Sequence, residues 1–194
     1  MAEHIGSERA QTLLSLLSEW LPKAGSVLDV GTGTGHLASA IRARGLHVVA
    51  CDVADLALVS VPLVMADGAR LPFASCHFDA VLLVTVLHHV PATGHLAMLA
   101  EGRRVLRDGG RLIILEDSYE GRAERLATSI LDSLLNFEFI GHPHANRTTR
   151  QWEEVVTTLG LTILDSRERF VRYGPIRIRH LMLATERKEP ALRL

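Results

Sequence analysis

The stretch VLDVGTGTGHLA, residues 27–38, limits the fold more than any other part of the chain. A short apolar run leads into three glycines, Gly31, Gly33 and Gly35, spaced two apart. Glycine reaches positive φ freely and lets a backbone come close to a ligand. A strand that turns through such a loop into a helix opens a nucleotide-binding β-α-β unit. The expected architecture is therefore a doubly wound, mostly parallel sheet with helices on both faces.

The rest of the chain continues that alternation. Residues 8–21, ERAQTLLSLLSEWL, read as a helix that Ser7 can cap and Pro22 stops, giving an N-terminal helical segment over 1–22. Leu13, Leu14, Leu16, Leu17 and Trp20 fall on one side of it at helical spacing. Ser26–Val30 reads as a strand, 36–43 as a helix, and LHVVACD and PLVMAD as a second and a third strand. FDAVLLVTV is a continuous apolar run of the kind found in buried parallel strands. A helix over 93–106 and the turn RDGG lead to a fifth strand, RLIILE. Beyond Glu116 come a helix, the loop IGHPHANRTT, a second helix ended by Gly160, and two strands around RYGP. No repeat or linker interrupts the chain, so residues 1–194 read as one domain, with 118–150 as its variable part.

Composition narrows the function. Of 194 residues 47% are hydrophobic, enough for a packed core. No apolar run approaches the roughly 20 residues of a membrane helix, and the polar start MAEHIGSERAQ is no signal peptide. Two cysteines without a CxxC pair argue against a disulfide framework and a thiolate zinc site. A cytoplasmic protein, monomer or homodimer, is expected. The formal charge of −1 argues against nucleic acid as partner. One basic stretch, RERFVRYGPIRIRH, alternates Ile176 and Ile178 with Arg177 and Arg179, the pattern of a strand with a solvated basic face.

The neighbours of the glycine loop decide its ligand. A dinucleotide loop asks for a third glycine where His36 stands. Asp52 ends the second strand, where a carboxylate can accept from both ribose hydroxyls. Asp67 ends the third strand and can accept from an adenine amine, with Gly68 admitting the ring edge. Asp29, inside the loop, repels a pyrophosphate and suits an ammonium or sulfonium. Adenine, ribose and positive charge without phosphate describe S-adenosylmethionine, which leaves S-adenosylhomocysteine as product.

The segments VLDVGTGTG, VVACDVAD, MADGARLPFASCHFDAVLLVTVLHHV and RVLRDGGRLIILE stand in the order found in class I S-adenosylmethionine-dependent methyltransferases, which the chain resembles over about half its length. The resemblance lies toward the small-molecule branch of ubiquinone and menaquinone biosynthesis. It implies a Rossmann-like seven-stranded sheet whose last strand is antiparallel. It also implies that Gly31, Thr32, Gly33 and Gly35 pass the methionine end, Asp52 holds ribose and Asp67 adenine. Val53 would lie on the adenine face and Thr85 beside the methionine moiety.

Methyl transfer needs alignment of acceptor and methyl, and a base only where the acceptor must first lose a proton. Ligands of open α/β sheets lie at the carboxyl ends of the strands. His88 and His89 follow the fourth strand there, and either a catalytic or a cofactor-shaping role is open to them. Phe137, Phe139, His142, His144 and Trp152 form an aromatic, polar-tipped set after the fifth strand, which in the resembled family supplies the substrate wall. The spacing of His142 and His144 is thin evidence for a metal, and none is expected. Glu116, Asp117 and Tyr119 shape the acceptor end or cap the next helix. The reading is methyl transfer to a small-molecule acceptor, with oxygen or nitrogen ahead of carbon as the receiving atom. An NAD-dependent oxidoreductase, a non-catalytic binder of the cofactor and an RNA methyltransferase are the alternatives.

Overall fold

The computed structural model of the chain describes residues 2–118, 147–173 and 176–188. Helix α1 spans Ala2–Leu17, then β1 Ser26–Val30, α2 His36–Arg42, β2 His47–Asp52, β3 Leu63–Met65 and β4 Phe78–Val84. A 3-10 turn, Leu87–His89, leads to α3 His95–Val105 and β5 Leu106–Asp117. Helix α4 covers Thr149–Thr158, followed by β6 Leu161–Tyr173 and β7 Ile176–Arg187. The seven strands form one sheet in the order β3-β2-β1-β4-β5-β7-β6. Strands β1 to β5 pair in parallel, and β7 runs antiparallel between β5 and β6. The doubly wound sheet and its one reversed strand are thus as the sequence led one to expect.

Successive side chains of a strand face opposite sides, and β5 shows how this divides the core. Ile113 and Leu115 pack in the layer of α1 and α2, with Leu14, Leu17 and Ile41. Leu112 and Ile114 pack in the other layer, with Leu99 of α3 and Trp152 and Val156 of α4. By the same alternation Glu116 falls toward α3 and α4, and Asp117 toward α1. Their partners below follow that division.

Two local readings are corrected. Helix α1 begins at Ala2, so Ser7 lies inside it and caps nothing. The RDGG turn does not precede β5 but belongs to it. The β4–β5 ladder passes from Phe78↔Leu106 to Ala80↔Arg111, leaving the intervening residues of β5 as a bulge with Gly109 at φ 75°. The basic stretch does alternate. Val171 and Ile178 are paired and buried, while Phe170 is 48% exposed, with the Arg177 and Arg179 guanidiniums 4.1 and 4.7 Å from its ring.

Candidate active site

The carboxyl ends of β1, β2 and β4 carry the glycine loop and its acids to one edge of the sheet. The loop is tied down by the Gly31 and Thr32 N–H groups, which donate to the Cys51 carbonyl at 2.8 and 3.2 Å. Gly31 stands at φ 75°, and a Cβ there would come within 2.1 Å of Val86 Cγ2. Any side chain would push the loop away from the end of β4. Gly33, at φ 52°, has the opposite setting: a Cβ there would meet nothing within 4 Å, so the loop faces open space.

The acids differ in environment. Asp29 is 2% exposed and accepts from Thr32 Oγ1–H at 2.7 Å. Burial, against that hydrogen bond and with help from the Asp52 charge, pushes its carboxyl up to about 6. Asp52 reaches across to the loop, its Oδ2 accepting from the Gly33 N–H at 2.8 Å. Asp67 is exposed and accepts from the Ala69 N–H at 2.8 Å. Apolar side chains stand unburied around these acids: Val53 is 75% exposed, and Met65, the register partner of Asp52, is 66% exposed. Such surface beside a carboxylate suits the flat ring and sugar of an adenosine. Open space over Gly33, an acid at a strand end and a buried acid under the loop together fit a cationic adenosyl ligand. Gly68 has a close neighbour on the core side. A Cβ there would lie 2.7 Å from Met98 Cε, so its space is filled from the core side.

The carboxyl ends of β4 and β5 meet at Glu116. Its Oε1 accepts from the Val86 and Leu87 N–H groups at 2.9 and 2.7 Å, and its Oε2 lies 2.6 Å from His88 Nδ1. His88 is 2% exposed; His89 is half-buried, its ring 4.0 Å from that of His88. The dipeptide thus splits into one fully buried member and one half-buried member. On the opposite face His180 Nδ1 lies 2.8 Å from Asp117 Oδ1, a second buried pair. Thr85, just after β4, holds φ at 50°, a costly conformation for a β-branched residue. Its N–H donates to the Leu115 carbonyl at 2.7 Å, which keeps it there.

Trp152 does not belong to an acceptor wall. It is 1% exposed in the α3–α4 layer, its ring 4.9 Å from His95. Phe137, Phe139, His142 and His144 lie outside the described residues. Three residues near the site escaped the sequence reading. His95 supports the 3-10 turn through the Leu87 and Val90 carbonyls, Met65 flanks Asp52, and Arg9 reaches Thr85. Among the described residues no group of three His, Cys, Asp or Glu is placed to hold a metal ion. A concavity of ~530 Å³ lined by Ser26, Arg42 and His47 lies at the amino ends of the strands, opposite to where such folds bind ligands. No helix among the described residues is long and apolar enough to cross a membrane.

Comparison with known proteins agrees with this geometry. A methyltransferase domain family matches residues 28–114. The demethylmenaquinone methyltransferase of Clavibacter sepedonicus is 31% identical over 183 residues, covering 77% of this chain and 73% of that protein. The chain belongs to the class I S-adenosylmethionine-dependent methyltransferases. S-adenosylmethionine is accordingly the cofactor of this methyltransferase, and the nicotinamide alternative falls away. The ubiquinone/menaquinone biosynthesis C-methyltransferase of Paracoccus denitrificans is 37% identical over 119 residues, with 53% of this chain and 47% of that protein covered. The match therefore spans about half the length of that relative. A Burkholderia thailandensis N1-methyltransferase, solved with 1,6-didemethyltoxoflavin and S-adenosylhomocysteine, has a TM-score of 0.68 at 18% identity. That alignment covers 95% of this chain and 79% of the other and shows a shared fold.

Proposed function

We propose that this methyltransferase acts on a ring carbon of a small aromatic acceptor of the quinol class, with His89 as the base that faces it. The observation that carries the reading is the split histidine pair: His88 pinned by Glu116 and His89 outermost, at the carboxyl edge of β4. The name of one relative, a C-methyltransferase, supports carbon as the receiving atom, ahead of the oxygen or nitrogen favoured from sequence.

The bound cofactor supplies an electrophilic methyl group on a sulfonium. The chain contributes alignment and a proton acceptor. Asp52 would hold the ribose hydroxyls and Asp67 the adenine amine, with Val53 and Met65 against the ring. The backbone of Gly31, Thr32, Gly33 and Gly35 would pass the methionine end, and the Asp29 carboxylate would face its ammonium. A quinol ring carbon becomes a strong nucleophile when the neighbouring hydroxyl loses its proton. His89 would take that proton. The activated ring carbon would then be positioned to take the methyl group, with the electron pair of the broken C–S bond left on sulfur. Release of the ring proton to water would restore the aromatic quinolate, and return of the His89 proton to its oxygen would give the methylated quinol.

The test incubates the purified chain with methyl-labelled S-adenosylmethionine and a short-chain 2-prenyl-1,4-naphthoquinol, beside panels of phenols, amines and tRNA. Label on a ring carbon, located by fragmentation in the mass spectrometer, is the expected result. Transfer to amines, phenolic oxygen or tRNA in preference to the quinol overturns the acceptor class. Tight cofactor binding with transfer to none of these favours the non-catalytic binder.

A further inference from the structure

Neither the cofactor loop nor the acceptor turn uses the basic stretch near the end of the chain. Residues 167–180 hold five arginines against one glutamate, in a chain whose formal charge is −1. Two of the five are matched within the fold: Arg167 meets Glu19 and Asp165, and Arg179 meets Glu168. Arg169, Arg172 and Arg177 are exposed, and none of them has an ion pair among the described residues.

Strand register carries these cations to the edge that holds the site. β5 ends against β7 at Asp117↔His180, and the Ser118 N–H still donates to the Arg179 carbonyl at 2.9 Å. β6 and β7 go on pairing past that point, to Tyr173↔Ile176. At about 3.4 Å per residue the two strands project about 10 Å beyond β5. They do so on the carboxyl side of the sheet, where His88, His89 and Glu116 also lie. Alternation gives the projection two faces. Val171 and Ile178 are a buried pair on one of them. On the other, Phe170 pairs with Arg179 and Arg172 with Arg177. The half-exposed Phe170 ring has the Arg177 and Arg179 guanidiniums against it.

We propose that this face of the β6–β7 projection is a docking surface for an anionic lipid bilayer. It would bring the carboxyl edge of the sheet to the membrane with no segment crossing it. Guanidiniums match phosphate headgroups in charge and in geometry, and arginine stems can lie along apolar surface. Phe170 adds a short apolar contact at the headgroup boundary. A quinol with a prenyl tail resides in a bilayer, so the choice of a lipid surface among anionic partners rests on the quinol reading of the acceptor.

Co-sedimentation of the whole chain with vesicles, without acceptor or cofactor, tests the surface. The probes are phosphatidylcholine vesicles and the same vesicles carrying about one-third phosphatidylglycerol. Binding is expected on the anionic vesicles alone and should weaken as salt is raised. Arg172→Gln and Arg177→Gln should each lower it by about fivefold, and Phe170→Ala should lower it without changing the salt dependence. Arg44→Gln, which alters an exposed arginine at the opposite edge of the sheet, should leave binding within about twofold. Thermal melts show that the variants are folded, and the comparison of the two vesicles needs no variant. Equal binding to both vesicles, or binding to neither, overturns the proposal. So does full binding by the Arg172→Gln, Arg177→Gln double variant. Tighter association with tRNA than with anionic vesicles at the same salt also overturns it, by making the face a nucleic-acid surface. A second arm compares turnover of a soluble short-chain quinol with that of a long-chain quinol in the anionic vesicles. The arginine variants should match wild type on the first and slow on the second. Vesicle binding with transfer to neither quinol removes the acceptor reading and leaves the docking surface standing.

Discussion

His88 Nδ1 and Glu116 Oε2 meet at 2.6 Å on side chains 2% and 1% exposed, joining the turn after β4 to the end of β5. A carboxylate facing Nδ1 makes that nitrogen the donor and leaves the lone pair of the neutral ring on Nε2. The other carboxylate oxygen accepts from two successive N–H groups at the start of the 3-10 turn. One side chain therefore fixes both the turn and the histidine within it.

Glu116→Gln keeps an oxygen for the Val86 and Leu87 N–H groups but turns an amide toward His88. Turnover is expected to fall by about 10²-fold, with the folded structure retained. Glu116→Ala leaves those N–H groups and His88 without their acceptor and should cost about 3 kcal/mol or more of stability. Thermal melts and single-turnover rates on both variants check the distinction. Equal turnover in Glu116→Gln and wild type would show that the pair serves the fold alone.

His89→Ala should lower turnover by about 10²- to 10⁴-fold if the outer ring takes the acceptor proton. S-adenosylhomocysteine affinity should stay within a factor of about two, which separates loss of the base from loss of the cofactor site. A stable His89→Ala enzyme with full turnover would leave methyl transfer to alignment alone.

The glycine loop and the acids were legible because geometry dictates their residue types. Only glycine fits Gly31 beside Val86, and Asp52, at the end of β2, reaches across to the loop at the Gly33 N–H. The order of alternating segments likewise fixed a parallel sheet, while the reversed direction of β7 came from resemblance and its place between β5 and β6 only from the structure. What stayed hidden depends on contacts far apart in the chain. Arg9 meets Thr85 across 76 residues, and Arg147 meets His95 across 52. Trp152 was misplaced for the same reason. Its neighbours in sequence are polar, and only the packing of α4 on α3 turns its ring inward against His95. Gly68 shows a further limit, since its contact with Met98 beneath it is invisible in the sequence.

Asp29 links cofactor binding to pH. Its carboxyl, at about 6 in the free protein, is raised first by burial. The acid form is thus favoured by folding, and the penalty for ionising it is absent well below pH 4 and fully present above about 6. A cationic ligand favours the carboxylate, so S-adenosylmethionine should bind more tightly as pH rises from 5 to 7, by up to about tenfold per unit below 6. Asp29→Asn should flatten that dependence, weaken binding at pH 7.5, and raise the melting temperature of the ligand-free chain at the same pH. Calorimetry at four pH values and thermal melts give the three readings. A pH-dependent affinity unchanged in Asp29→Asn would place its origin elsewhere.

His95 is the support under the acceptor turn, and its protonation state can be read from its partners. Nε2 donates to the Leu87 and Val90 carbonyls at 2.8 and 2.9 Å, while Nδ1 accepts from Arg147 Nε–H at 3.0 Å. The ring is therefore neutral, and burial, reinforced by the Arg147 charge, holds its pKa below the usual histidine value. A histidine depressed in this way contributes stability in full above the unfolded value of about 6.5, and that contribution drains away as pH falls toward the folded value. Urea unfolding should accordingly show stability declining from pH 7.5 to 5.5. His95→Ala strands two carbonyls and opens a cavity beside Trp152, for an expected loss of about 2–4 kcal/mol at pH 7.5. The loss should be smaller at pH 5.5, because the wild type has by then given up part of the same contribution. If the deficit of His95→Ala is the same at both pH values, the histidine does not titrate differently in the two states and the assigned neutral ring loses its support. If His95→Ala is stable enough to assay, its turnover should also fall, since the carbonyls on either side of His88 and His89 have lost the donor that sets the turn.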